Sequence, residues 1–280
     1  MHTRDMNSKY KAKSFYNQFG AKLLRDFVNG NPRMEMAILF ACNKLKQFQR
    51  KAVLDLGFGL GWSSFEFSRA VPDLNVLGID LSPQLRDLAS ALFSENSRLQ
   101  FECQDLCDSS WSEKFRSDYD ACVMLDVYEH IPRSERSDFH AALASKLADD
   151  AIVILSCPTI LHQSYLRDER PDALQPVDED VTFKDLLILA HTLGGELIHL
   201  AYQSVWTSHD YFHAVISRKP LRRATTIMTM NHRLMSKRER LARLSLAKAI
   251  VGEHQVSAIK GKKPRLLRSI VRKIRAQIPI

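Results

Sequence analysis

The chain has 280 residues, 45% of them hydrophobic and 26% charged, which is the composition of a globular protein. This length is sufficient for one sizeable α/β domain with appendages, or for two small domains. No apolar run approaches the roughly 18–20 residues that a membrane-spanning helix needs, and the charged start of the chain lacks the apolar core of a secretory signal. The five cysteines include no C-x-x-C pair, so we expect a cytoplasmic protein with reduced thiols, without a zinc site or a disulfide framework.

The formal net charge of +8 is unevenly distributed along the chain. Residues 218–280 contain 18 Lys and Arg against 2 Asp and Glu, a formal charge of +16. Residues 1–217 keep the other 22 basic and 30 acidic residues, a formal charge of −8. Any attraction to an anionic partner is therefore expected from residues 218–280, which we call the basic tail.

Apolar residues recur at helical spacing through residues 1–50, with a break at Gly30-Asn31-Pro32. From residue 51 to residue 157, strand and helix patterns alternate. Such alternation predicts a doubly wound, mostly parallel sheet. The predicted strands are 51–56, 74–80, 98–103, 119–125 and 151–157, and the helices predicted between them are 62–70, 83–94 and 134–147.

The second half of the chain begins with a polar segment, residues 158–181, that contains prolines. This composition predicts a long irregular connection, of the kind that often forms a functional lid. A helix is predicted at 182–193. Two strand patterns follow at 196–203 and 209–217 with a short polar turn between them, so we expect the sheet to end in an antiparallel hairpin.

The first predicted strand leads into a glycine-rich turn, residues 55–61 (DLGFGLG). Glycines permit a tight turn and let a ligand lie against bare backbone at the start of a helix. A dinucleotide-binding turn needs a third glycine where this chain has Trp62. A pyrophosphate beside Asp55 would also meet a like charge, whereas the ammonium and sulfonium groups of S-adenosylmethionine would meet an opposite one. The turn therefore favours S-adenosylmethionine as the ligand.

Acidic residues lie at the ends of the next three predicted strands. Asp80, about 20 residues after the glycine turn, is placed to accept hydrogen bonds from both ribose hydroxyls of a nucleoside. Asp105 follows the third strand, where an Asp can meet the adenine amino group. Asp126 ends the fourth strand at the same carboxyl edge of the sheet, which is where ligands bind in such folds.

Residues 51–157 resemble the class I S-adenosylmethionine-dependent methyltransferases. The resemblance rests on the acidic-x-Gly-x-Gly-x-Gly turn, on the acid of the second strand and on residues 126–132 (DVYEHIP). This last segment is similar to the D-V-x-E-H-[IV] stretch of many small-molecule O- and N-methyltransferases. The family implies a Rossmann-like, seven-stranded sheet with a reversed last strand. We accordingly divide the chain into an N-terminal helical lid (1–50), a methyltransferase domain (51–217) and the basic tail.

The resemblance also implies positions for the functional residues. In this family N-terminal helices cover the cofactor, and the corresponding lid residues here are Tyr10, Tyr16, Phe19 and Arg33. The expected cofactor-binding residues, taken from the turn, the strand ends and the resemblance together, are Asp55, Gly57, Gly59, Gly61, Asp80, Leu81, Asp105, Leu106 and Asp126.

Two histidines are candidates for the catalytic base. Methyl transfer is an in-line displacement at a sulfonium, so the protein positions the acceptor and removes a proton if the acceptor is a hydroxyl. A neutral histidine suits that task near neutral pH. His130 follows the fourth strand and His162 follows the fifth, and the sequence does not decide between them. No cluster of metal ligands stands out, and we expect no resident metal.

The acceptor class follows from two features. The residues that follow the fourth strand, 126–129 (DVYE), differ from the [DNS]-P-P-[YF] motif of exocyclic-amine nucleic-acid methyltransferases. The polar segment 158–180 is suited to hydrogen bonding with a polyhydroxylated molecule. We expect O-methylation of a small molecule such as a sugar or a lipid-linked glycan. A nucleic-acid methyltransferase guided by the basic tail and a non-catalytic partner protein that retains the fold are the alternatives.

The end of the basic tail, residues 264–280, combines apolar residues at helical spacing with five Lys and Arg. This pattern is typical of an amphipathic helix on an anionic membrane surface, which would make the protein peripheral at the inner face of the membrane. Nucleic-acid binding and a disordered, solubilising tail are the alternatives. Few aromatic residues interleave with the charges, which argues against single-strand binding.

Overall fold

The computed structural model describes residues 19–219 and 236–252. In this part of the chain a seven-stranded sheet has the order β3-β2-β1-β4-β5-β7-β6. The strands are β1 (Ala52–Leu56), β2 (Asn75–Asp80), β3 (Leu99–Cys103), β4 (Tyr119–Leu125), β5 (Leu147–Pro158), β6 (Glu196–Gln203) and β7 (Tyr211–Ser217). The α-helices are α1 (Gly20–Asn29), α2 (Pro32–Gln47), α3 (Trp62–Ala70), α4 (Pro83–Leu92), α5 (Arg136–Lys146), α6 (Ile160–Glu169), α7 (Phe183–Thr192) and α8 (Lys237–Val251).

The sheet is parallel from β3 to β5, and only β7 is reversed. β7 pairs antiparallel with both β5 and β6. Buried apolar residues form two clusters on opposite sides of the sheet, and neighbouring residues such as Val53 and Leu54 belong to different clusters. Successive side chains of a strand point to opposite faces, so helices cover both sides of this sheet. The predicted doubly wound sheet with an antiparallel C-terminal hairpin is confirmed.

The prediction of an irregular connection over residues 158–181 is wrong in its first half. Helix α6 occupies Ile160–Glu169, and the Thr159 hydroxyl caps it by accepting a hydrogen bond from the His162 backbone N–H (3.3 Å). Ile160, Leu161 and Tyr165 are exposed, while Gln163 is buried. The helix therefore lacks the apolar face that makes a surface helix visible in a sequence.

The helix of the basic tail packs onto the domain instead of extending away from it. Leu244 and Ala247 of α8 join the same apolar cluster as α1 and α3. Tyr10, Tyr16 and the predicted membrane-surface helix 264–280 lie outside the described residues and stay predictions. Within residues 19–219 and 236–252, no helix is long and apolar enough to cross a membrane.

Position 57, the first glycine of the glycine turn, requires glycine for two reasons. Gly57 has φ +68, and a Cβ there would overlap Cγ2 of Val127. Gly194 provides a matched control, because it has φ +65 with no atom within 4 Å of the position of a Cβ. We expect Gly57→Ala to lower the free energy of unfolding about 2 kcal/mol more than Gly194→Ala, because overpacking adds to a similar backbone strain.

Urea unfolding of both variants measures this difference. Adding Val127→Ala to Gly57→Ala should recover part of the loss, because it removes the overlapping methyl groups. Equal losses for the two single variants would show that Val127 does not constrain the turn.

Candidate cofactor and acceptor site

A cavity lies at the carboxyl edge of β1, β2 and β4. Helices α1 and α2 cover it from one side, and the segment 175–177 borders it from another. The polar residues and glycines that line it come from α1, α2, the glycine turn, the start of α3, the strand ends and the segments that follow β4 and α6. These residues are Asp26, Arg33, Gly57, Gly59, Ser63, Asp80, Asp105, Asp126, His130, Glu135 and Gln175.

Asp80 holds the glycine turn and lines the cavity. Its Oδ2 accepts a hydrogen bond from the Gly59 backbone N–H (2.9 Å), and its Oδ1 accepts one from the Ser82 N–H (2.9 Å). Burial raises the pKa of Asp80 to about 6, against the lowering effect of these hydrogen bonds. A carboxylate fixed in this way can accept further hydrogen bonds from a ligand without reorganising.

Asp55 has a different place from the one expected. It is 1% exposed and does not line the cavity. The hydroxyls of Ser63 and Ser64 donate to its Oδ2 at 2.6 and 2.5 Å, and burial raises the pKa of Asp55 to about 6. The carboxylate thus ties the end of β1 to the start of α3. Gly61, with φ +81, precedes α3 and is also absent from the cavity lining.

The other seven expected cofactor residues are brought together around the cavity. They are Gly57, Gly59, Asp80, Leu81, Asp105, Leu106 and Asp126. Phe19 and Arg33 of the expected lid line it as well. Trp62, which follows the glycine turn, also lines the cavity, and its buried indole N–H has no hydrogen-bond partner among the described residues.

Asp126 connects the sheet to the lid. It has φ +57, an uncommon conformation for a residue other than glycine, and its backbone N–H donates to the Ser156 carbonyl (2.8 Å). Arg33 of α2 forms an ion pair with the Asp126 carboxylate (2.7 Å) and donates to the Tyr211 hydroxyl (3.2 Å). Asp126 therefore lines the cavity as one half of an ion pair and not as a lone carboxylate.

His130 lines the cavity beside Asp126. Its Nδ1 lies 2.7 Å from the Val177 carbonyl oxygen, and because a carbonyl only accepts, Nδ1 carries the proton. In the neutral ring the lone pair is then on Nε2. Burial lowers the pKa of His130, although Asp178 and Asp126 act in the opposite direction. The ring is therefore neutral at pH 7, with the tautomer that a base acting through Nε2 needs.

Glu129 is buried next to His130. Its Oε1 lies 3.9 Å from His130 Nε2, and the side chain is 2% exposed. Burial raises the pKa of Glu129 well above its usual range, and the nearby charge of Asp126 raises it further. The residue therefore retains its proton more strongly than a surface glutamate does.

His162 lies outside the cavity lining. It is on α6, and its ring centroid lies 5.4 Å from that of Tyr211 and 6.5 Å from that of Trp206. Burial lowers the pKa of His162 as well. The structure therefore brings His130 to the cavity edge and places His162 within an aromatic group farther out.

That aromatic group is held by the turn between β6 and β7. Asp210 accepts hydrogen bonds from the backbone N–H groups of Val205 (2.8 Å), Trp206 (2.9 Å) and Thr207 (3.2 Å). The Trp206 side chain is 54% exposed, and the Arg33 guanidinium carbon lies 5.9 Å from its ring centroid. Sequence reasoning missed Trp206 and Tyr211, because nothing local marks a hairpin turn as the neighbour of residues near position 33.

Acidification provides a test of Asp80. Lowering the pH from 7 to 5 should weaken binding of S-adenosylhomocysteine about tenfold, because Asp80, with a pKa of about 6, takes up a proton and loses an acceptor site. The effect on folding has the opposite sign, since a raised carboxyl pKa means that protonation relieves a buried charge. Titration calorimetry at both pH values measures the affinity, and circular dichroism confirms the fold. An unchanged affinity at pH 5 would contradict this role for Asp80.

The residues of this cavity fit S-adenosylmethionine. Asp80 offers acceptor oxygens for ribose hydroxyls, Gly57 and Gly59 allow close approach to backbone, and Leu81 and Leu106 supply apolar walls. The buried indole N–H of Trp62 remains available as a donor. Among the residues that the structure describes, no group of three or more His, Cys, Asp or Glu has the geometry of a metal site.

Comparison with known proteins agrees with this geometry. Residues 53–150 match the sequence family described as a methyltransferase domain. The matched segment includes the glycine turn, Asp80, Asp105, Asp126 and His130, so the sequence comparison and the cavity point to the same part of the chain. Two solved structures with a similar fold, both of magnesium protoporphyrin IX methyltransferase, contain S-adenosylhomocysteine and S-adenosylmethionine. No curated protein sequence matches the chain.

Solved structures share the methyltransferase fold with the chain. Magnesium protoporphyrin IX methyltransferase from Synechocystis PCC 6803, with bound S-adenosylhomocysteine, is 20% identical with a TM-score of 0.59, covering 74% of this chain and 98% of that one. An O-methyltransferase family protein from Burkholderia thailandensis is 17% identical with a TM-score of 0.54, covering 69% and 59%. The [4+2]-cyclase SpnF is 13% identical with a TM-score of 0.54, covering 74% and 96%. At these identities the likeness shows the fold alone, so the reaction has to be argued from the site.

Proposed function

We propose that the protein transfers the methyl group of S-adenosylmethionine to a hydroxyl group of a small polar molecule, and that His130 is the general base. The observation that carries this proposal is the neutral His130 ring at the cavity edge, oriented by its hydrogen bond to the Val177 carbonyl. A hydroxyl is a poor nucleophile until its proton is removed, and a neutral imidazole is suited to that step near pH 7. An amine acceptor would make less use of such a base.

The residues around His130 have separable tasks in this mechanism. Asp80 and the glycine turn hold the cofactor, which when bound supplies an electrophilic methyl group on a positively charged sulfonium. Arg33 and Asp126 neutralise each other at the edge of the acceptor space. His130 accepts the hydroxyl proton at Nε2 as the oxygen attacks, and α1 and α2 exclude water from above.

A sugar or a lipid-linked glycan is the acceptor that we favour. The support is the exposed indole of Trp206 beside Arg33, together with the exposed ring of Tyr165 near His162. An aromatic ring with polar groups around it can pack against the apolar face of a sugar ring. The polar groups can at the same time form hydrogen bonds with the sugar hydroxyls.

Methyl transfer from labelled S-adenosylmethionine tests the proposal. The purified protein is incubated with methyl-labelled cofactor and with three fractions of cell extract: small molecules and glycans, nucleic acids, and proteins. Label in the first fraction supports the proposal. Label in a nuclease-sensitive polymer would instead support the nucleic-acid alternative. Binding of the cofactor without transfer to any fraction would favour a non-catalytic protein.

A further inference from the structure

Helix α8 of the basic tail places one arginine inside the methyltransferase domain. Arg243 is 5% exposed and forms an ion pair with Glu66 of α3, which is 1% exposed. The Arg243 guanidinium carbon lies 4.7 Å from the ring centroid of Phe27 and 5.6 Å from that of Trp62. One side chain thus contacts the lid helix α1 and the helix that follows the glycine turn.

Both of those rings belong to the wall of the cofactor cavity or support it directly. Trp62 lines the cavity, and Phe27 packs edge-on against it with 6.1 Å between ring centroids. Leu23 and Asp26, on the same helix as Phe27, line the cavity from above. A shift of α1 away from Trp62 would therefore open the cavity on its lid side.

A second ion pair fixes α8 in the same place. Arg69 of α3 pairs with Glu239 of α8 (2.5 Å) and with Glu66 (3.1 Å). The buried Glu66 carboxylate thus lies between two cations, Arg69 and Arg243, and the loss of either leaves its charge less well compensated. The planar guanidinium of Arg243 pairs with Glu66 and covers two aromatic faces at once, which the compact ammonium of a lysine does not.

We propose that Arg243 is a positioning residue for the cofactor: it holds α1 against Trp62 and keeps the lid side of the cavity closed. This inference rests on the proposed function, because it assumes that the cavity binds S-adenosylmethionine. A ligand that needs the closed lid binds with an affinity reduced by the fraction of molecules that are open. The basic tail is then part of the cofactor site through α8, although none of its described residues, 218–219 and 236–252, lines the cavity.

Titration calorimetry with S-adenosylhomocysteine tests the proposal on the full chain. We expect Arg243→Met to bind it about fivefold more weakly than wild type, as a lid that is closed about one fifth of the time would. Arg243→Lys should give an intermediate affinity and a partial rescue. Arg238→Met, an exposed arginine on the same helix, is the matched control and should bind as wild type does.

The double variant Glu66→Gln with Arg243→Met separates positioning from folding. It removes the buried charge together with its partner, so the domain is not left with an unpaired carboxylate. All affinities are measured at a temperature where circular dichroism shows each variant folded, and the dissociation rate is followed by stopped flow. Weaker binding with faster dissociation in the double variant supports positioning.

Wild-type affinity in the folded Arg243→Met or in the double variant would overturn this inference, since Arg243 would then serve only stability. That result differs from failure of the proposed function. If the wild-type protein itself did not bind S-adenosylhomocysteine, the assignment of the cavity as a cofactor site would be wrong. The inference about Arg243 would then no longer apply.

Discussion

Replacing His130 with asparagine should lower kcat about 1000-fold while the dissociation constant for S-adenosylhomocysteine stays within about twofold of wild type. The expected loss is that of a general base, because asparagine keeps a donor for the Val177 carbonyl but cannot accept a proton at the Nε2 position. Steady-state kinetics with the acceptor found by fractionation measures kcat, and calorimetry measures cofactor affinity.

His162→Asn is the matched comparison for this prediction. Both histidines have lowered pKa values caused first by burial, but only His130 lines the cavity. In the wild type, kcat should fall only at a pH below the usual histidine pKa of about 6.5, because burial lowers the pKa of His130, and this acid limb should vanish in His130→Asn. A larger loss of kcat in His162→Asn than in His130→Asn would transfer the role of base to His162.

Asp80→Asn should weaken binding of S-adenosylhomocysteine about 100-fold. A carboxylate that accepts from two ribose hydroxyls makes two hydrogen bonds to a charged group, each worth about 1.5–3 kcal/mol, and asparagine retains at most one neutral acceptor. A total loss of about 3 kcal/mol corresponds to roughly this factor in the dissociation constant. Titration calorimetry at pH 7.5, where the wild-type Asp80 is ionised, measures it.

Asp55→Asn is the control for Asp80→Asn, because both residues are buried carboxylates at strand ends and only one of them lines the cavity. Burial raises the pKa of each carboxyl to about 6, yet only Asp80 reaches the cavity. We expect Asp55→Asn to lower the melting temperature, since Ser63 and Ser64 lose a charged acceptor, and to change the affinity little. A loss of affinity in Asp55→Asn as large as that in Asp80→Asn would restore the direct contact expected from the sequence.

The cofactor side of the site could be predicted from sequence because its geometry is local. The glycine turn and the acids that end β2, β3 and β4 are each marked by a strand pattern a few residues away. Parallel strands bring their carboxyl ends to one edge, so a correct strand order places Asp80, Asp105 and Asp126 together. The same logic predicts Asp55 in the cavity lining, where the structure does not place it, because sequence spacing does not show that Ser63 and Ser64 hydrogen-bond to its carboxylate.

The contacts that hold Arg33, His130 and α8 in place could not be predicted, because they join distant parts of the chain. Arg33 meets Asp126 across 93 positions, and His130 meets Val177 across 47. Helix α8 reaches Glu66 from 177 positions away. Such pairs depend on how the helices and loops pack over the finished sheet, and no residue near either partner in sequence indicates the other.

The reversed direction of β7 has a consequence for how this protein can diversify. The parallel strands contribute only their last residues to the site, whereas β7 contributes its first, Tyr211, which pairs with Pro158 at the end of β5. The turn before Tyr211 is held by backbone hydrogen bonds to Asp210, and its Trp206 ring lies beside the guanidinium of Arg33, which lines the cavity. On the proposed function, we expect substitutions at Trp206 to change recognition of the acceptor while the glycine turn and Asp80 stay as they are, so that recognition of the acceptor and of the cofactor could evolve independently.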